Sequence, residues 1–209
     1  MTYPPEPWYL GGSMLVSTFL VPLDEMPVGM PGRYPIRVGG RALVGVAFAN
    51  YVPGGVLDYD ELLVAVPNVG DGGARVTIPQ IWVDSPTSQA GGRELWGIPK
   101  QLGQFERVER GNRVRVSMSD DRGPVASIRA QYGLPLLPGM RQLALPILQE
   151  LGGRRILSHN RLIGRVTGLR ASVTFDPAGP LGWLAGRRPL VSLAIREASI
   201  IFGMDVRRS

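Results

Sequence analysis

The chain predicts a mainly β, antiparallel fold, and three features carry that expectation. With 28 glycines and 19 prolines in 209 residues, the apolar stretches are cut into runs too short for long helices. Several runs alternate apolar and polar residues with the two-residue period of a half-buried strand, Arg113-Val114-Arg115-Val116-Ser117-Met118 being the cleanest. Hydrophobic residues make up 44% of the chain, enough for a real core at this length, so one domain over residues 1–209 is expected.

Residues 1–12 read as an extended N-terminal arm, because Pro4, Pro5, Pro7 and the Gly11-Gly12 pair cannot join a helix. Trp8 and Tyr9 offer anchors to the body or to another subunit. Ser13 to Val21 is a strand, and Pro22 to Pro35 a loop with room for one helical turn at Leu23-Asp24-Glu25-Met26. Ala42 to Val52 is a buried strand, turned by Pro53-Gly54-Gly55. In the next strand, Val56 to Pro67, Tyr59 and Glu61 share one face while Asp58 and Asp60 share the other. Three acids this close fit a calcium site or a solvated strand end. Asp71-Gly72-Gly73 is a turn, and the strand from Val76 to Asp84 contains Pro79, which demands an edge or a bulge.

Ser85-Pro86 has the form of an N-cap followed by the first helical residue, so a short helix runs over Thr87 to Trp96 and stops at Gly97. It delivers Lys100 at the start of the following strand. Arg113 to Met118 and Val125 to Tyr132 form a hairpin about Asp120-Asp121-Arg122-Gly123. Leu136 to Leu151, broken by Pro138 and Pro146, is strand and loop; Arg154 to Phe175 is a pair of strands around Asn160 or Gly168. A connection from Pro177 to Arg188 carries a short helix at Leu181-Gly182-Trp183-Leu184, and Pro189 to Val206 is the final strand.

Several function classes drop out. There is no cysteine, hence no disulfide and no thiolate chemistry. The single His159 leaves a Ser-His-Asp triad or a zinc site with one imidazole, so no metal is expected. No glycine-rich phosphate loop follows a strand. A net charge of +6 and a pI near 10.3 raise nucleic acid as a partner, but the arginines are dispersed and lack aromatic interleaving; the same positive field draws small carboxylates inward. The residues from Met1 to Pro7 lack a basic and then apolar leader, and no run reaches the ~18 apolar residues of a membrane span. A soluble, cytoplasmic protein bound neither to nucleic acid nor to a membrane is the expectation.

Lys100 is the one lysine among 23 basic residues, leaving 22 arginines. A composition so biased puts the surviving ammonium where guanidinium fails. Arginine is never deprotonated and is no nucleophile, whereas a neutral lysine attacks a ketone and forms a Schiff base. Leu95, Trp96, Ile98 and Pro99 lead into Lys100, and burial among apolar groups lowers a lysine pKa by ~3 to 5 units. Bringing it from ~10.4 to near ~6 or 7 costs about 5 kcal/mol, so no second charge is required. A lone surface lysine is the plain alternative.

Gly92-Arg93-Glu94-Leu95, three residues, then Pro99-Lys100-Gln101-Leu102-Gly103 resembles the Schiff-base lysine segment of acetoacetate decarboxylase, the known example of a lysine activated in this way. The resemblance extends to Ile81-Trp82-Val83-Asp84, to Tyr59-Asp60-Glu61 with the family's active-site glutamate, and to Arg196 through Phe202 as its last strand. It implies a cone-shaped antiparallel β-barrel, a homo-oligomer, no cofactor, and decarboxylation of a keto acid through a Schiff base on Lys100, with Glu61 as the second catalytic residue. Trp82, Trp96 and Ile98 are candidate pocket walls, and Arg93 is a candidate for the substrate carboxylate or one half of an ion pair with Glu94. The departures are Gln101 in place of the family's second lysine, and glycine or alanine near Gly11, Gly12 and Ala47, where the family places an arginine and a further glutamate. Those losses keep two further readings open: a Schiff-base aldolase or dehydratase acting on pyruvate or another keto acid, and a non-enzymatic binder of small molecules.

Overall fold

In the computed structural model, which describes residues 2–27, 34–70 and 73–209, the elements follow in the order β1 (Trp8–Val21), β2 (Arg37–Val38), β3 (Arg41–Val52), β4 (Tyr59–Gly70), β5 (Gly73–Val83), α1 (Pro86–Trp96), β6 (Lys100–Leu102), β7 (Gln104–Arg110), β8 (Arg113–Asp120), β9 (Gly123–Pro135), β10 (Arg141–Ala144), β11 (Ile147–Leu151), β12 (Arg154–Phe175) and β13 (Val191–Arg208). Short 3-10 turns lie at Leu23–Glu25 and Gly182–Leu184. Among the described residues all thirteen strands join one sheet, along the path β11-β5-β4-β3-β1-β13-β12-β9-β8-β7. The mainly β, antiparallel class is therefore realised. β11 also pairs antiparallel with β12 over Ile147–Leu151 and meets β5 in parallel at Ile147↔Val76, so the pairing path from β11 through β5, β4, β3, β1, β13 and β12 returns to its start.

Strand alternation divides the interior in two. Odd-numbered residues of β1 (Leu15, Phe19, Val21) and even-numbered residues of β3 and β4 (Val44, Val46, Phe48, Leu62, Val64, Val66) pack with Trp82 against the β8–β9 hairpin in one core. The opposite faces of the same strands carry Trp8, Leu10, Ala49, Tyr51 and Tyr59 into a second core, completed by Trp96 and Ile98 from α1 and the turn after it, and by Ile147, Leu162 and Ile200. Each of β1, β3 and β4 thus separates a packed layer from a layer that surrounds a cavity.

Two expectations change. β1 begins at Trp8 rather than Ser13, because Gly11 and Gly12 pair on both sides, with β13 and with β3; the arm shortens accordingly. At Gly12 the neighbouring backbone comes so close that a Cβ would lie 1.9 Å from the Asn50 carbonyl oxygen. Arg154 to Phe175 is one 22-residue strand, not a pair; the register shifts at Leu157/His159, His159/Arg161 and Ile163/Arg165 against β13, and again at Thr167/Leu169 against β9. Bulges take up the irregularity at Asn160 and Gly168 without ending the ladder. The bulge expected at Pro79 is present: between Val64 and Val66 of β4 the partner changes from Gln80 to Thr77, so Ile78 and Ile81 share the cavity-side core despite their odd spacing. The turn at Asp71-Gly72 and residues 28–33 of the first loop lie outside the described residues. No helix among those described is long and apolar enough to cross a membrane.

Gly12→Ala is expected to lower unfolding free energy by roughly 1–3 kcal/mol, the range of an overpacked site. Gly11→Ala, whose Cβ would meet nothing nearer than 3.8 Å, is expected to change it by less than about 0.5 kcal/mol. Denaturant melts of the adjacent pair check the contrast.

Candidate active site

The approach to Lys100 is built from local signals. Ser85 Oγ accepts a hydrogen bond from the Ser88 N–H at 3.2 Å, with Pro86 at the first helical position, as an N-cap should. α1 ends where Gly97 adopts a left-handed conformation, φ 65°, and donates to the Arg93 carbonyl at 3.1 Å. The Ile98 N–H then donates to the Gly92 carbonyl at 3.0 Å, and β6 settles in parallel beside β5 with Lys100 opposite Ile81. The Gly91-Gly92 pair, costly inside a helix, is what admits the side chains packed on it. A Cβ at Gly92 would lie 2.6 Å from Lys100 Cδ, and one at Gly91 2.5 Å from the Trp8 ring.

Lys100, 4% exposed, has its three ammonium donors matched to three oxygens. Nζ donates to Glu61 Oε2 at 2.9 Å, to Ser88 Oγ at 2.9 Å and to Tyr59 OH at 3.3 Å. The other carboxylate oxygen, Glu61 Oε1, accepts from Tyr51 OH at 3.2 Å. Tyr51 and Tyr59 are direct partners in the β3–β4 ladder, and their rings stand 4.6 Å apart. Lys100 Nζ also lies 5.0 Å from the Tyr59 ring centre and 6.0 Å from that of Trp8.

Burial pulls the Lys100 ammonium toward neutrality, as the sequence leads one to expect, but the Glu61 carboxylate and Tyr59 act against it and raise its pKa above the ordinary lysine value. The expectation that burial alone governs this amine is thereby corrected: a carboxylate 39 residues earlier in the chain stands against it. Burial raises both phenols as well, helped by the Glu61 charge. Tyr59 is pushed up to about 12 and Tyr51 well above its usual value, so both remain protonated donors at neutral pH. Among the described residues no group of three metal-binding side chains gathers. Glu61 turns into the interior, while Asp60, on the opposite face, accepts from Asn50 Nδ2 at 3.0 Å.

Beside this cluster lies a cavity of about 360 Å³. Lys100, Glu61, Trp96 and Ile98 border it, together with Tyr51, Tyr59, Trp8 and Ala47. Trp82 and Arg93 do not. Trp82 alternates with Ile81 and Val83 on β5 and falls in the other core. Arg93 is exposed and donates from Nε to the Lys100 carbonyl at 2.6 Å, so it holds the backbone of β6. It forms no ion pair with Glu94, which accepts from Tyr3 OH at 2.7 Å instead. The structure adds an arginine that sequence reasoning missed: Arg161 of β12 borders the cavity, and its Nε is buried with no hydrogen-bond acceptor. Trp96 Nε1 is in the same condition, with its ring stacked edgewise on Trp8 and Phe202. Unmatched buried donors at a cavity wall are uncommon in native structures and call for an acceptor.

A β-sheet protein with one buried lysine held by a carboxylate, a phenol and a serine hydroxyl against an apolar cavity is the class defined so far. The chain belongs to the acetoacetate decarboxylase family, whose sequence profile matches residues 2–164, and this membership places it among lyase-type enzymes. No curated protein matches it. Solved structures share the fold. They include acetoacetate decarboxylase from Legionella pneumophila subsp. pneumophila str. Philadelphia 1 (TM-score 0.77, 15% identity, covering 100% of this chain and 89% of that one). A second acetoacetate decarboxylase gives TM-score 0.74 and 17% identity, covering 99% of this chain and 91% of that one. The enduracididine biosynthesis enzyme MppR in complex with pyruvate gives TM-score 0.70 and 18% identity, covering 100% and 91%; MppR has also been solved with the condensation product of pyruvate and imidazole 4-carboxaldehyde.

The raised pKa has a sign that can be measured. Folded Lys100 keeps its proton longer than the unfolded chain does, so the pair's contribution to stability is fully present below about 10.5 and is lost as pH climbs through the folded value. In Glu61→Gln burial is left as the leading influence, and it lowers the pKa; stability then rises as pH approaches 10.5. The difference in unfolding free energy between the two proteins is therefore expected to shrink from pH 8 to pH 10.5, and a gap independent of pH would show that the two residues are uncoupled.

Proposed function

We propose that the chain is a Schiff-base lyase that decarboxylates a keto acid, with Lys100 as nucleophile and Glu61 as its proton partner. The observation that carries this reading is the buried Lys100 ammonium, 2.9 Å from Glu61 Oε2, at the wall of a cavity able to hold a small molecule. When substrate enters, the ammonium proton passes to Glu61 Oε2, and the neutral amine attacks the ketone carbon. Water leaves the carbinolamine, with a proton returned from Glu61, to give a protonated imine. For a β-keto acid, the bond to the carboxylate carbon breaks, its electron pair moves into the imine to form an enamine, and carbon dioxide departs. Protonation at carbon and hydrolysis release the ketone and restore the amine.

Arg161 supports the carboxylate end of this reading. With no arginine near Gly11 and Gly12, it supplies a buried, unmatched N–H at the cavity, and a guanidinium suits a carboxylate through paired charge-assisted hydrogen bonds. Gln101 follows Lys100 in β6, so its side chain points to the other strand face; the neutral amine then depends on burial and on proton transfer to Glu61 rather than on a neighbouring cation. A second reading, condensation of pyruvate with an aldehyde through the same enamine, is favoured by Ala47 standing at the cavity where the family places a glutamate, and by the fold likeness to MppR, which binds pyruvate and a condensation product of it.

Pyruvate or acetoacetate with borohydride is expected to give a stable mass adduct at Lys100, and Lys100→Met to fold, yield no adduct there and lose all turnover; a folded and active Lys100→Met ends the reading. Glu61→Gln is expected to keep the adduct and lose about 100-fold or more in kcat, the scale of general acid–base assistance.

Arg161→Gln is expected to reduce kcat/KM for keto acids by about 10- to 100-fold, the scale of a charge-assisted hydrogen bond. Binding of uncharged ketones, read by competition, should change by less than about threefold on the same scale; equal losses for both would assign Arg161 to structure.

A further inference from the structure

The cavity beside Lys100 is far larger than a three- or four-carbon keto acid requires. At about 360 Å³ it is more than twice the ~150 Å³ of an apolar protein cavity that encloses benzene, a molecule of six carbons. Pyruvate and acetoacetate have six and seven non-hydrogen atoms, so either one leaves over half of the space unfilled.

The chemistry of the walls says what fills the remainder. Tyr51, Tyr59, Glu61 and Lys100 are joined by hydrogen bonds into one cluster and so mark a single place on the wall, while Asn160 and Arg161 sit together on β12. Much of the rest comes from Leu63, Val76, Ile147, Val166, Leu193 and Ile195, on strands from both halves of the pairing circuit. Ordered water needs two to four polar partners, which hydrocarbon walls do not supply, whereas a hydrocarbon chain gains from burial there. Leu143, 51% exposed, borders the same cavity and marks where it nears solvent.

We infer that the substrate is an amphipathic keto acid bearing an apolar tail of roughly six carbons, scaled from the cavity volume. Its ketone carbon meets Lys100 Nζ, its carboxylate lies toward Arg161, and its tail occupies the apolar walls. This rests on the Schiff-base reading and adds to it the substrate class. Short keto acids react at the same lysine but leave the apolar space empty, so they bind more weakly by the burial of each missing methylene.

The test uses the whole chain and a series of straight-chain 2-oxo acids from pyruvate to 2-oxooctanoate. Cyanoborohydride delivers hydride to the imine carbon after the ketone oxygen has left as water, and intact mass gives the fraction of Lys100 modified. The concentration giving half-modification is expected to fall by up to about fourfold per methylene, and by about 100-fold or more over the five added. Ala65→Leu, which places bulk on the apolar wall, is expected to flatten the series; if that variant does not fold, the series on the unaltered chain decides alone. A flat or rising series with a clear pyruvate adduct overturns the tail and leaves the Schiff-base reading standing. Absence of any Lys100 adduct across the series overturns both.

Discussion

A lone ammonium inside a protein must find as many acceptors as it has donors, and the arrangement around Lys100 follows from that demand. Taking an isolated ion out of water costs tens of kcal/mol in a dry medium, and even in relaxed proteins several. Glu61, Ser88 and Tyr59 meet the three N–H groups, and they arrive from two separate stretches of chain. Ser88 comes with the first turn of α1, Tyr59 and Glu61 with alternate positions of β4, and Tyr51 holds the far side of the carboxylate from β3. A buried ion pair is weak evidence for stability, since apolar residues of similar volume commonly do as well. Its presence here at the edge of a cavity, in a chain that uses arginine for every other cation, argues for chemistry.

The helix contributes more than one residue. Its cap fixes Ser88, its two glycines let Lys100 and Trp8 lie against it, and its left-handed end at Gly97 starts the turn that leads to β6. A sequence that reads poorly as a helix, with Gly91 and Gly92 near its middle, is therefore the one the site requires; close packing of Lys100 and Trp8 offsets the weak propensity. Arg93, exposed on the same helix, secures the Lys100 carbonyl and so fixes the backbone from which the amine projects.

What the sequence disclosed was mostly local. Ser85-Pro86 and Gly97 bound α1 in the structure as expected, the β8–β9 hairpin falls about Asp121-Arg122, and the parity of Tyr59 and Glu61 puts both on the cavity side of β4. What stayed hidden depends on register between distant strands. Tyr51 reaches Glu61 only because β3 and β4 pair with Tyr51 opposite Tyr59, and Arg161 reaches the cavity from a strand that carries three register shifts against β13. Nothing local says which face of β5 meets the cavity, so Trp82 read as a wall and sits in the other core. The pKa of Lys100 escapes a local reading for the same reason, since its counter-charge is remote in sequence.

The division of β1, β3 and β4 into a packed face and a cavity face has a consequence for how such a protein diversifies. Along β3, Val44, Val46 and Phe48 belong to the packed layer, while Ala47, Ala49 and Tyr51 face the other way. Selection for a new substrate and selection for a durable fold therefore act on interleaved residues rather than on separate regions, each alternate position answering to one of them. The walls of the cavity can be rewritten side chain by side chain while the layer behind them, and with it the scaffold, is inherited unchanged.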